Sequence, residues 1–111
     1  MIARIWHGAT LNEKAKSYLD VLRRTGVSEY TATSGNLGVL VLSKGGDKQT
    51  DFEIISFWDS MEAVSRFAGP DPQKAVYYPE DKDYLLEFEP GVRHYEVEIS
   101  TFKERRGLAS K

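Results

Sequence analysis

Apolar residues recur along the chain in two rhythms, a strand-like period of two and a helix-like period near 3.6. Phe52, Ile54 and Trp58 alternate with Ile55 and Phe57, so this segment carries apolar side chains on both faces, as a strand covered on both sides does. Asp59 and Ser60 then offer a helix N-cap, and Met61, Val64, Phe67 and Ala68 recur at helical spacing until Gly69 and Pro70 stop them. Beyond them Asp71-Pro72 begins a short turn through Tyr77, Tyr78-Pro79 forces an extended break, and a further turn covers residues 80–86. Pro90-Gly91 precedes a clean alternating strand over 92–99.

The first half repeats that plan. Residues 2–7 (IARIWH) predict a strand with apolar residues on both sides, ended by Gly8. Thr10 and Glu13 have the spacing of a capping box, and Ala15, Tyr18, Leu19 and Leu22 then mark the apolar face of a helix that Gly26 should stop. Residues 26–36 (GVSEYTATSGN) have turn chemistry and predict a loop with a short extended piece at 29–33. Residues 37–43 (LGVLVLS) predict a buried second strand, which Lys44-Gly45-Gly46-Asp47 turns back into the third.

The order β-α-β-β-α-β predicts an α+β, ferredoxin-like domain over residues 1–99, a four-stranded antiparallel sheet with its helices on one face. A basic tail, expected to be flexible, follows from 100 to 111. Large apolar residues on both faces of strands 1, 2 and 3 imply that the face without helices is covered too, and pairing two sheets in a homodimer, an α/β barrel, does this. With strand 1 between strands 3 and 4, and expected parallel to strand 3, His7, Trp58, Asp59, Arg93 and His94 fall at one edge of the sheet. Tyr77, Tyr78 and Tyr84 would wall a cavity beside it.

Composition narrows the chemistry. Cysteine is absent, which excludes disulfides and thiolate sites. The formal charge of -2 gives no field that would recruit nucleic acid; the tail carries a net +3 from Lys103, Arg105, Arg106 and Lys111 against Glu104. The opening MIARIWHGAT is too polar for a signal peptide and no apolar run reaches the roughly 20 residues of a membrane span, so a cytoplasmic protein without membrane contact is expected. Gly45-Gly46 sits in a hairpin and lacks phosphate-loop spacing, and Ser34 and Ser43 have no nucleophile elbow. The two histidines lack metal-ligand spacing, and Glu80, Asp81, Asp83, Glu87 and Glu89 fit a solvated acidic surface better than a cation loop, so no metal is expected. Each histidine is a candidate proton acceptor near neutral pH, or a structural residue bonded to backbone.

From IARIWHG through FEIISFWDSMEAVSRFAG to AVYYPEDKDYLLEFEPGVRHYEVE the sequence resembles the antibiotic-biosynthesis-monooxygenase-like proteins of the dimeric α/β barrel group. The resemblance implies a ferredoxin-like protomer, a homodimer made by packing two sheets, and a pocket between sheet and helices. It further implies a cofactor-independent monooxygenase of a small aromatic or polycyclic phenol- or quinone-like metabolite, whose carbanion itself reduces dioxygen. His94 or His7 would then be the base; Trp58, Tyr77, Tyr78 and Phe67 would bind the ring; Arg4 or Arg93 would steady an oxyanion. Other relatives bind and degrade haem through a histidine on the second helical layer. Residues 60–86 hold tyrosines but no histidine, so haem is not expected and only a tyrosine would remain as axial ligand. A non-catalytic dimeric binding or stress-associated protein is the alternative, favoured if the pocket is too small for a ring or sealed by its tyrosines.

Overall fold

A computed structural model describes residues 1–102; the tail expected to be flexible lies outside the described residues from Lys103 on. Four strands, β1 (Ile2–Leu11), β2 (Asn36–Gly45), β3 (Gln49–Trp58) and β4 (Arg93–Glu96), form one sheet in the order β2-β3-β1-β4. Helices α1 (Ala15–Arg24) and α2 (Gly26–Ala32) connect β1 to β2, and α3 (Met61–Ala68) follows β3. Short 3-10 turns lie at Asn12–Lys14 and Pro79–Asp83. This is the ferredoxin-like α+β plan.

All neighbouring strands are antiparallel, including β1 and β3, which corrects the parallel pairing expected from the sequence. The crossover through α1 and α2 returns β2 parallel to β1, and the β2–β3 hairpin then reverses direction, so the strand inserted between them must oppose both. The register follows: Ile2 faces Trp58, His7 faces Glu53, and Arg4 faces His94. His7 therefore lies in the middle of β1, whereas Trp58 pairs with Ile2 at the start of that strand, and the single edge expected to gather them does not exist.

Strand alternation separates two faces. Arg4, Trp6, Phe52, Ile54 and Trp58 are buried beneath the helices, where they meet Tyr18, Val21 and Leu22 of α1, Tyr30 of α2, and Ala63 and Val64 of α3. On the other face Leu40 and Leu42 are exposed and Ile5, Ile55 and Phe57 half-buried. Phe102, 5.8 Å from the Phe57 ring, and Glu89, against His7, reach across this side.

Three local expectations change. Gly8 does not end β1, because the strand continues to Leu11 with Gly8 inside it. A Cβ there would collide with Trp6 Cη2, so the glycine makes room for the indole rather than breaking the strand. Thr10 is a buried strand residue whose hydroxyl donates to the Leu11 carbonyl, and the capping box does not form. The segment read as a loop is helix α2, whose Tyr30 packs its ring 4.5 Å from Phe67; this tertiary contact overrides weak local propensity. At α3 the Ser60 hydroxyl accepts the Ala63 N–H, the cap that the sequence announces.

Strand β4 spans only Arg93–Glu96 of the expected 92–99. Beyond it the Val97 N–H donates to the Met1 carbonyl, just before β1 starts at Ile2.

Candidate functional site

The covered face concentrates unsatisfied hydrogen-bond donors. Arg4 projects beneath the helical layer and is only 2% exposed. Its Nη1 donates to the Pro72 carbonyl (2.6 Å) and its Nη2 to the Lys74 carbonyl (3.0 Å), pinning the irregular stretch after α3 onto the sheet. Phe67 lies over the guanidinium, 5.7 Å from ring centre to Cζ. Among the described residues no carboxylate lies within ion-pair distance of Arg4, and its Nε has no partner. Burial lowers its pKa, with the nearby Tyr30 hydroxyl acting the other way.

His94, opposite Arg4 across the β1–β4 pair, has Nε2 3.2 Å from Arg4 Nη1. A guanidinium only donates, so Nε2 is the acceptor and the proton of the neutral ring sits on Nδ1, which is buried without a partner. Burial and the neighbouring Arg4 charge both lower the His94 pKa, keeping the ring neutral at pH 7. Two residues along β1 on the same face, Trp6 Nε1 is the third buried donor without a partner. Each such group forgoes about 1–3 kcal/mol of hydrogen bonding, so three close together need an explanation.

Around the donors the walls are aromatic. Trp58 is fully buried, donates Nε1 to Ser56 Oγ (2.9 Å), and packs on Tyr30 and Phe67. Tyr77 meets the edge of Trp6 and donates its hydroxyl to the Glu89 carbonyl (2.6 Å). Tyr78 donates to Glu29 Oε1 (2.6 Å). Between Trp6, Tyr18, Tyr30, Val76, Tyr78 and Asp81 lies a cavity of about 20 Å³, room for about one water.

The structure thus brings Arg4, His94, Phe67 and Trp58 together, with Tyr77 and Tyr78 at their margin, and leaves His7 and Arg93 outside. Those two lie on the open face. His7 Nδ1 is 2.7 Å from Glu89 Oε2 and its Nε2 3.6 Å from Asp51 Oδ1; Arg93 Nη2 is 3.9 Å from Glu53 Oε2. Partial burial opposes charge on His7, but Glu89 and Asp51 outweigh it and the net shift of its pKa is upward.

Three residues at the cavity escape a sequence reading. Trp6 is signalled only by sharing strand parity with Arg4. Tyr30 is hidden in a segment with turn composition. Asp81 belongs to an acidic run that reads as solvated, yet it is 3% exposed, accepting the Tyr18 hydroxyl (3.0 Å) and the Tyr78 N–H (2.8 Å). Its burial raises its own pKa, while burial and Asp81 together raise that of Tyr18.

A porphyrin does not fit these residues. The cavity is far too small, and of the tyrosines that line it Tyr18 and Tyr78 have hydroxyls engaged by carboxylates that oppose the phenolate an iron ligand requires, while burial pushes the Tyr30 hydroxyl up to about 12.

No protein-family model matches the sequence, and no curated protein does. Solved structures do resemble the fold, two of them as follows. One, from Bacillus cereus and described as a putative antibiotic biosynthesis monooxygenase, aligns over 92% of this chain and 97% of its own at 18% identity and a TM-score of 0.57. The other, a MhuD variant with two manganese protoporphyrin IX molecules bound per active site, aligns over 93% of this chain and 100% of its own at 16% identity and a TM-score of 0.57. The architecture of this chain is accordingly that of the antibiotic-biosynthesis-monooxygenase-like proteins.

Proposed function

We propose that the protein is a cofactor-independent monooxygenase of a small aromatic or polycyclic phenol- or quinone-like metabolite, working as a homodimer. The observation that carries this reading is the trio of unpaired buried donors, Arg4 Nε, Trp6 Nε1 and His94 Nδ1, set among aromatic rings. A purely structural interior satisfies its polar groups; donors held in reserve match an oxygen-bearing ring. They would stabilise the enolate or phenolate formed when the substrate loses a proton. The resulting carbanion passes its electrons to dioxygen, one oxygen atom becoming the new carbonyl and the other leaving as water with both substrate hydrogens. His94 serves as the base only after Arg4 Nη1 leaves its Nε2.

The homodimer reading rests on the open face, where Met1, Leu37, Leu40, Phe57 and Phe102 line a groove of about 750 Å³. It lies across the sheet from the donors and has the composition of a surface awaiting a second sheet. Oxygen uptake by the metal-free protein with a panel of anthrones and hydroquinones tests the oxygenase. Turnover that falls at least tenfold in Trp6→Phe supports it, and no uptake with any of them refutes it.

The closed cavity favours a second reading, a non-catalytic dimeric binding or stress-associated protein, because Tyr18, Tyr30, Tyr78 and Trp6 leave no space for a ring in this conformation. Tight aromatic binding without oxygen uptake would establish that reading.

A further inference from the structure

Building on the small-molecule site just described, we propose that its ligand arrives already anionic, as a planar aromatic compound bearing a carboxylate or an equivalent charged oxygen, and that Arg4 is its counter-ion. Buried charges in folded proteins are paired, and a guanidinium 2% exposed with no carboxylate within ion-pair distance among the described residues departs from that rule. Its charge is met by the carbonyls of Pro72 and Lys74, the face of Phe67, the nearby Tyr30 hydroxyl and a neutral imidazole, none of which carries negative charge at neutral pH. The other unpaired groups nearby, Trp6 Nε1 and His94 Nδ1, are donors as well. A neutral phenol would satisfy hydrogen bonds but leave the charge uncompensated; a carboxylate supplies both, and a guanidinium binds it with two parallel bonds.

The same contacts show how the closed cavity would open. Arg4 holds the stretch after α3 through two carbonyls, and this stretch, with the 3-10 turn beyond it, carries Val76, Tyr78 and Asp81 of the cavity wall. An anion that draws the guanidinium away from Pro72 and Lys74 releases that wall and frees His94 Nε2 in the same movement.

Calorimetric titration with naphthoate and with the isosteric, uncharged naphthamide tests the proposal. Naphthoate should bind at least tenfold more tightly than naphthamide. Arg4→Gln should erase the difference between the two compounds, and Arg4→Lys should retain part of it. Because Arg4→Gln also loosens the covering stretch, circular dichroism must show it folded, and the comparison between Arg4→Lys and wild type stands if it is not. Equal affinities for the two compounds, or no binding of naphthoate, overturns the proposal. Preference for naphthoate in a protein that consumes no oxygen with any phenol would leave the anion site standing and remove only the oxygenase.

Discussion

The two faces of one sheet ask for opposite things. Beneath the helices the strands hold a buried cation, a neutral histidine and unpaired donors, all wanting an acceptor. On the open face the same strands hold a histidine between carboxylates, with exposed leucines beside it. One residue of strand parity separates these environments, so His7 and His94 share a chemistry and are shifted in contrary directions. The lesson is that the electrostatics of a site come from the face, not from the residue type or from nearness along the strand.

The largest way to break this contrast is by truncation. Phe52→Ala, on the covered face and 1% exposed, should cost about 3–5 kcal/mol in denaturant unfolding. Leu40→Asp, on the open face and 44% exposed, should leave the unfolding of the isolated protomer nearly unchanged while weakening self-association in sedimentation by at least tenfold. An equal loss of protomer stability in both would mean that the faces are not distinct.

A smaller effect sharpens the covered side. Gly8→Ala places a methyl against Trp6 and Leu85, and overpacking of that kind should destabilise by about 1–3 kcal/mol and alter the tryptophan emission. The matching change at Gly38, where a Cβ meets nothing, should leave the emission alone even though its positive φ adds strain.

The smallest effects are in pH. His94 has a folded pKa below its unfolded value, so between the two the unfolded chain binds more protons, and stability falls as pH drops below about 6.5. His7 has a folded pKa above its unfolded value; its contribution is fully present below about pH 6.5 and is lost as pH rises through the folded pKa. Melting temperature followed between pH 5 and 8 should therefore change slope in opposite senses in His94→Gln and His7→Gln.

Much of the fold is legible in the sequence because it is written in local periodicity. The alternation from Phe52 to Trp58, the Ser60 cap and the Lys44–Asp47 hairpin each specify a backbone path with few alternatives. The candidate site is less legible. Strand direction depends on topology rather than on any residue in β1 or β3, and reversing one pairing puts Trp58 beside Ile2 at the start of β1 rather than near His7. Helix α2 owes its existence to Tyr30 reaching Phe67 and Trp58, partners far along the chain. Asp81 looks like its neighbours Glu80 and Asp83 until Tyr18 arrives from α1 to bury it.

The claim on which the account turns is that the covered face is built to receive an acceptor, and the two indoles report on it directly. Trp58 Nε1 is already bonded to Ser56 Oγ, whereas Trp6 Nε1 has no partner. In a nitrogen–proton correlation spectrum of the labelled protein, naphthoate should move the Trp6 indole resonance downfield and shift that of Trp58 far less. A Trp6 resonance that stays in place at saturating naphthoate would contradict the account.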